Sequence, residues 1–154
     1  MPGCVPGRVY PVLFLDAVNG WGAAVDLRAS GEAAPEVKLA RCGSARLRLR
    51  DTKGRPLAGR GLVLVLLTER SFAAGKPPLE RAADGHMSVC YDARHYATDP
   101  ISDREGWLTL PALIPGARYV LQYTAVEGVL RHTPEFQVGP GEQLQLPDLA
   151  IRDR

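Results

Sequence analysis

The stretch "GHMSVCYDARHYATD", residues 85–99, gathers two tyrosines, two histidines, Met87 and Cys90 into a short polar loop. Aromatic rings stack on the apolar faces of sugars and peptides, and charged neighbours fix the orientation of what is stacked. Tyr91, Asp92, Arg94, His95 and Tyr96 are therefore the candidate ligand-binding set. A second reading is that the loop folds back and its rings cover the open end of the fold. His86 and His95 stand nine positions apart, which matches no metal-ligand spacing, so each reads as a solvated or hydrogen-bonded loop histidine. Asp99, Asp103 and Glu105 offer the clustered oxygens that calcium takes, but carboxylates in turns more often cap backbone amides. Neither HExxH nor a P-loop occurs, and no Ser-His-Asp constellation can be identified. Cys4, Cys42 and Cys90 form no CxxC pair. Their odd number argues against a complete disulfide framework, so they read as buried or inert thiols. No cofactor is expected.

The elements that would hold such residues are short strands. The chain has 154 residues, enough for one well-buried domain or a domain plus a fragment. A net charge of +2 gives no case for nucleic acid or an anionic membrane. The basic run "RLRLR" (46–50) alternates with Leu47 and Leu49, as in a strand with one apolar and one solvated face. Sixteen glycines and thirteen prolines suit many turns rather than long helices. No apolar run reaches the length of a membrane span. The first residues do not read as a signal peptide, because Arg8, Pro11 and Asp16 break the apolar run; a signal for export would lie outside this chain.

Strands are expected at 44–51, 62–67, 107–110, 117–126, 129–138 and 142–151. The run "LVLVLL" (62–67) is apolar throughout, as in a strand buried on both faces. "DTKG" (51–54) suits a type I turn. "DREG" (103–106) is a second turn, in which Gly106 supplies a conformation that other residues resist. Pro111 and Pro115 cannot donate to a ladder and are expected to mark a strand end and a sheet-to-sheet crossing. Gly116 would then reverse the chain, and Tyr119 would pack inward with its hydroxyl on a loop backbone. Residues 68–102 read as a long irregular insertion, with room for one short helix at most in 79–96. The pattern predicts an all-β fold, an antiparallel β-sandwich.

The chain also repeats itself. "VPGRVYPVLFLDAVNG" (5–20) aligns with "IPGARYVLQYTAVEG" (114–128), placing Pro6-Gly7 on Pro115-Gly116 and Tyr10 on Tyr119. This divides the chain into a partial module, 1–42, holding the last strands of a preceding repeat, and a complete module, 43–154. Apolar strands in 1–42 would dock on the complete module or self-associate through free edges.

The segments "DTKGRPLAG" (51–59), "DREGWLTLPALIPGARYVL" (103–121) and "VGPGEQLQLPDLAI" (138–151) resemble carboxypeptidase regulatory-like domains, which are transthyretin-like (prealbumin-type) sandwiches with an immunoglobulin-like core. Asp51, Gly54, Pro56, Leu57 and Gly59 match the first half of the family pattern. Asp103, Gly106, Leu113, Pro115, Gly116 and Tyr119 match the second. The form looks closest to versions in large multidomain proteins of planctomycete-type bacteria. It covers 43–154, and 1–42 as a partial copy, and the insertion at 68–102 departs from it. The resemblance implies a non-catalytic accessory module acting as spacer, stabiliser or scaffold for binding loops. Its partners would be other domains of a parent protein, or a protein or glycan ligand. The alternative is a carbohydrate- or protein-binding module using the 85–99 loop. A third reading, a degenerate metal enzyme, comes from the similar sandwich of intradiol dioxygenases, which hold iron with two tyrosines and two histidines. Tyr91, Tyr96, His86, His95 and His132 supply the types, but the His-x-His pair expected after the Pro-Gly-Tyr corner is missing. The related hydrolases end in Tyr-Arg-Gly-Ser, whereas this chain ends "AIRDR".

Overall fold

The computed structural model describes residues 5–28, 36–67, 87–89 and 100–152. These are all-β, with eleven strands and no helix among them. In chain order they are β1 (Val9–Asp16), β2 (Trp21–Arg28), β3 (Ala40–Arg41), β4 (Gly43–Arg50), β5 (Val63–Leu67), β6 (Met87–Val89), β7 (Trp107–Leu113), β8 (Arg118–Thr124), β9 (Leu130–His132), β10 (Gln143–Gln145) and β11 (Leu149–Ala150). With no helix present, none is long and apolar enough to cross a membrane among the described residues.

Two four-stranded sheets share the main core. One has β4 at its centre, with β7 on one edge and β10 and β11 on the other. The second has the order β6-β5-β8-β9. Alternation dictates what each strand contributes. Ala45, Leu47 and Leu49 of β4 are buried, while Arg46, Arg48 and Arg50 lie on the opposite face. Leu108 and Leu110 of β7, Leu64 and Leu66 of β5, and Tyr119 and Leu121 of β8 meet them in a single cluster. Val65 and Leu67 lie on the other face of β5 and are buried there with Val120. The strand is thus buried on both faces, as its unbroken apolar run requires.

Three features depart from the pattern read in the sequence. First, not every pairing is antiparallel: β10 and β11 run parallel to β4. The chain leaves the second sheet after Phe136, which bridges Tyr119, and turns at 139–142. It reaches β4 at its Gly43 end, where the Ser44 amide donates to the Glu142 carbonyl, so it must run in the direction of β4. Second, Pro111 lies inside β7 rather than at a strand end. Opposite it the register slips, Gly43 pairing Leu113 and Ala45 pairing Leu110, and Ala112 takes a φ of 54°. A bulge is where a strand tolerates a residue without an amide proton. Third, the interval 68–102 is not irregular throughout, because β6 adds an antiparallel edge strand to β5.

The sheet β1-β2-β3 carries a long hairpin whose strands pair from Val9↔Arg28 to Asp16↔Trp21. Leu15 and Ala24 pack on the main core. Gly22 is closely surrounded: a Cβ there would lie 2.9 Å from the Phe14 carbonyl oxygen of the paired strand, 3.3 Å from the Cys42 sulfur and 3.4 Å from the core residue Ile114.

Candidate functional site

The residues matched by the turn-and-corner motif gather at two ends of the two-sheet body. At one end, Asp51 and Asp103 each organise a five-residue turn. Asp51 Oδ1 accepts the Lys53 and Arg55 amides, both at 2.8 Å. Asp103 Oδ1 accepts the Glu105 and Trp107 amides, both at 2.9 Å. In each turn the glycine amide donates to the aspartate carbonyl at 3.0 Å, and that glycine, Gly54 or Gly106, has a φ near 80°. The Asp51 carboxyl also pairs with the Arg55 guanidinium at 2.6 Å. Burial by itself would raise its pKa, but the hydrogen bonds from Arg55 and Lys53 and the Arg55 charge outweigh burial and hold it below the usual carboxylate range.

The two turns touch. A Cβ on Gly106 would stand 2.5 Å from the Leu49 carbonyl oxygen and 3.3 Å from the Pro56 Cα. Gly59, at φ 68°, begins a clasp that the sequence did not announce. The buried Ser102 hydroxyl donates to the Leu57 carbonyl at 2.6 Å and accepts the Arg60 amide at 3.0 Å. Its backbone completes the clasp, accepting from Gly59 and donating to Arg60, both at 2.8 Å. A lone serine at the edge of a loop carries no periodic signal, which is why pattern reading passed over it.

At the other end Pro115 is buried and Gly116 turns the chain with a φ of 78°. The ring of Tyr119 is buried against Phe136, with centroids 5.8 Å apart. Its hydroxyl accepts the Ile114 amide at 2.9 Å. The Oδ1 atoms of Asp51 and Asp103 and the Tyr119 hydroxyl thus each accept backbone amides.

The basic stripe is engaged as well. Arg46 and Arg48 both lie over the Trp107 ring, at 5.0 and 5.6 Å from its centroid. Arg46 Nε donates to Gln145, Arg48 Nε to the Glu105 carbonyl, and Arg50 Nε pairs with Asp148 at 2.6 Å.

Tyr91, Asp92, Arg94, His95 and Tyr96, together with His86, Asp99, Cys4 and Cys90, lie outside the described residues. Of the calcium candidates, Asp103 holds its turn as above. Among the described residues no group of three or more His, Cys, Asp or Glu side chains is placed to hold a metal. His132, in β9, has a buried Nε2 with no hydrogen-bond partner among the described residues, and burial pushes its pKa down. Burial, and secondarily the Asp16 charge, push the free Cys42 thiol up, which keeps it protonated and a poor nucleophile.

A cleft of about 350 Å³ opens at the start of β5 and the end of β8, with Leu62 and Ile151 among its apolar lining and Arg60, Gln122, Tyr123 and Arg152 among its polar lining. That volume is at the lower limit of small-molecule sites.

Comparison of the chain with family models, curated proteins and solved structures finds no match.

Proposed function

We propose that this chain is a non-catalytic accessory module of a larger multidomain protein, a β-sandwich of the carboxypeptidase regulatory-like kind, acting as spacer, stabiliser or scaffold for its loops. The observation that carries this reading is the use made of the motif residues. The Oδ1 atoms of Asp51 and Asp103 and the hydroxyl of Tyr119 all accept backbone amides. Groups committed in this way fix turns and corners; they are not poised toward a reacting atom, as a catalytic acid, base or nucleophile must be. The two sheets packed over one core, and the matches to the family pattern at both ends, support the same reading.

A screen of the whole chain on glycan and peptide arrays tests it. A spacer is expected to retain nothing. Retention that disappears in Tyr91→Ala and Tyr96→Ala would replace this reading with the alternative, a carbohydrate- or protein-binding module using the 85–99 loop.

A further inference from the structure

The carboxylates of Asp51 and Asp103, the hydroxyls of Ser102 and Tyr119 and the Nε atoms of Arg46, Arg48 and Arg50 are committed to partners within the body. The cleft at the start of β5 and the end of β8 is different. It lies at the seam of the two sheets, where the chain leaving β11 crosses to β8 and the Arg152 amide donates to the Thr124 carbonyl at 3.4 Å. Gln122, Tyr123 and Arg152 line it, and among the described residues their side chains have no hydrogen-bond or ion-pair partner. Tyr123 is the telling case, because its ring packs on the main core, where a tyrosine normally finds a partner for its hydroxyl.

The remaining lining decides what chemistry would fit. Leu62 and Ile151 are buried beneath the cleft, and Leu130 beside them is 51% exposed, so an apolar surface is on offer. The charge at the cleft has one sign: Arg60 and Arg152 line it, and no aspartate or glutamate does. Arg152 is held in place by its own backbone bond to Thr124. Its Nη1 would stand 3.0 Å from a Cβ on Gly128, so glycine in the turn between β8 and β9 leaves the guanidinium room.

We propose that this cleft binds a small carboxylic acid with a compact apolar body. The body covers Leu62, Leu130 and Ile151. The carboxylate meets the Arg152 guanidinium, whose planar fork matches two carboxylate oxygens, in the positive field to which Arg60 adds. The Tyr123 hydroxyl and the Gln122 amide supply further donors at the same rim. A volume of about 350 Å³ admits one ring or a short alkyl chain. This goes beyond the accessory-module reading, since a module without catalysis can still hold a ligand.

The probe is 3-phenylpropionate, added to the whole protein while backbone amide shifts are followed by NMR. The expected result is a saturable shift confined to the cleft, at Leu62, Thr124 and Ile151. 3-Phenylpropanamide has the shape without the charge, and acetate the charge without the body; each should bind about tenfold or more weakly, the size of one lost charge-assisted bond or one lost apolar contact surface. Arg152→Gln should weaken binding about tenfold or more with the unfolding midpoint unchanged. Leu130→Glu, at an exposed position, should abolish binding by setting a like charge against the ligand. No saturable shift at the cleft would overturn the proposal, as would an amide that binds as well as the acid, or an affinity that neither substitution changes. Tighter binding of phenyl phosphate than of the acid would overturn the carboxylate assignment. Glycan and peptide arrays do not present a small free acid, so failure here and failure of the accessory-module reading are distinguishable.

Discussion

Asp51 and Asp103 hold their turns by the same bonds: the Oδ1 of each accepts the amides two and four residues further along the chain. The two turns are packed together through Gly106, whose backbone carbonyl also accepts the Leu49 amide at 2.8 Å. One end of the body is therefore a joint between β4, the 51–59 segment and β7. The behaviour of that joint under mutation follows from its geometry.

Gly106→Ala is the severest small change available there. It forces an alanine into a φ of 82° and sets its Cβ 2.5 Å from a backbone oxygen that has no side chain to move aside. Left-handed strain alone costs about 1–2 kcal/mol, and the close contact adds to it. Urea unfolding should show a loss above about 2 kcal/mol; a loss below about 1 kcal/mol would mean that the two turns are not in contact.

Ala112 is the reverse case, a residue with a side chain where glycine belongs. At φ 54° in the β7 bulge it bears left-handed strain. Glycine removes about 1–2 kcal/mol of that strain and adds about 0.5–1 kcal/mol of chain entropy cost. Ala112→Gly should leave stability unchanged or raise it by about 1 kcal/mol, read from the midpoint of thermal or urea unfolding. A clear loss would show that the methyl group packs more tightly than the bulge requires.

Tyr119→Phe keeps the buried ring and its contact with Phe136 but leaves the Ile114 amide without its acceptor. The expected cost is about 1–3 kcal/mol, the price of a buried unsatisfied donor. A mutant as stable as the parent would remove the hydroxyl from any account of the corner.

Two groups set the pH response, with the same sign. The unfolded His132 titrates at 6.5 and the folded one lower, so its contribution is complete above about pH 6.5 and is lost as pH falls through the folded value. Asp51, held below 3.8 when folded, gives stability above about pH 4 that is lost at more acid pH. Melting temperature should therefore fall in two steps on acidification. His132→Gln should flatten the upper step and Asp51→Asn the lower. A profile unchanged by either substitution would contradict these assignments.

Much of this fold was legible because a half-buried strand must alternate and a doubly buried one cannot. β4 and β5 follow directly from "RLRLR" and "LVLVLL". The glycines of the Asp-x-x-Gly turns were legible because few other residues accept their φ. Other features were set by contacts that local pattern does not encode. The parallel pairing of β10 and β11 depends on which end of β4 the returning chain reaches. The bulge at Pro111 depends on the register with Gly43. The Ser102 clasp joins residues more than 40 positions apart in sequence. Of the site readings, the structural role of Asp103 could be inferred from its place in a turn. The 85–99 set rests on residue types gathered in one loop, and those residues lie outside the described part of the structure.

The claim at the centre of this account is that the motif residues hold the module together. Equilibrium urea unfolding of Asp103→Ala tests it most directly, since that change removes one carboxylate and leaves two turn amides without their acceptor. The account predicts a two-state transition with an unchanged slope and a stability loss of about 1–3 kcal/mol. A midpoint equal to that of the parent protein would contradict it, and would leave the Asp103 carboxylate to be explained by something other than the fold.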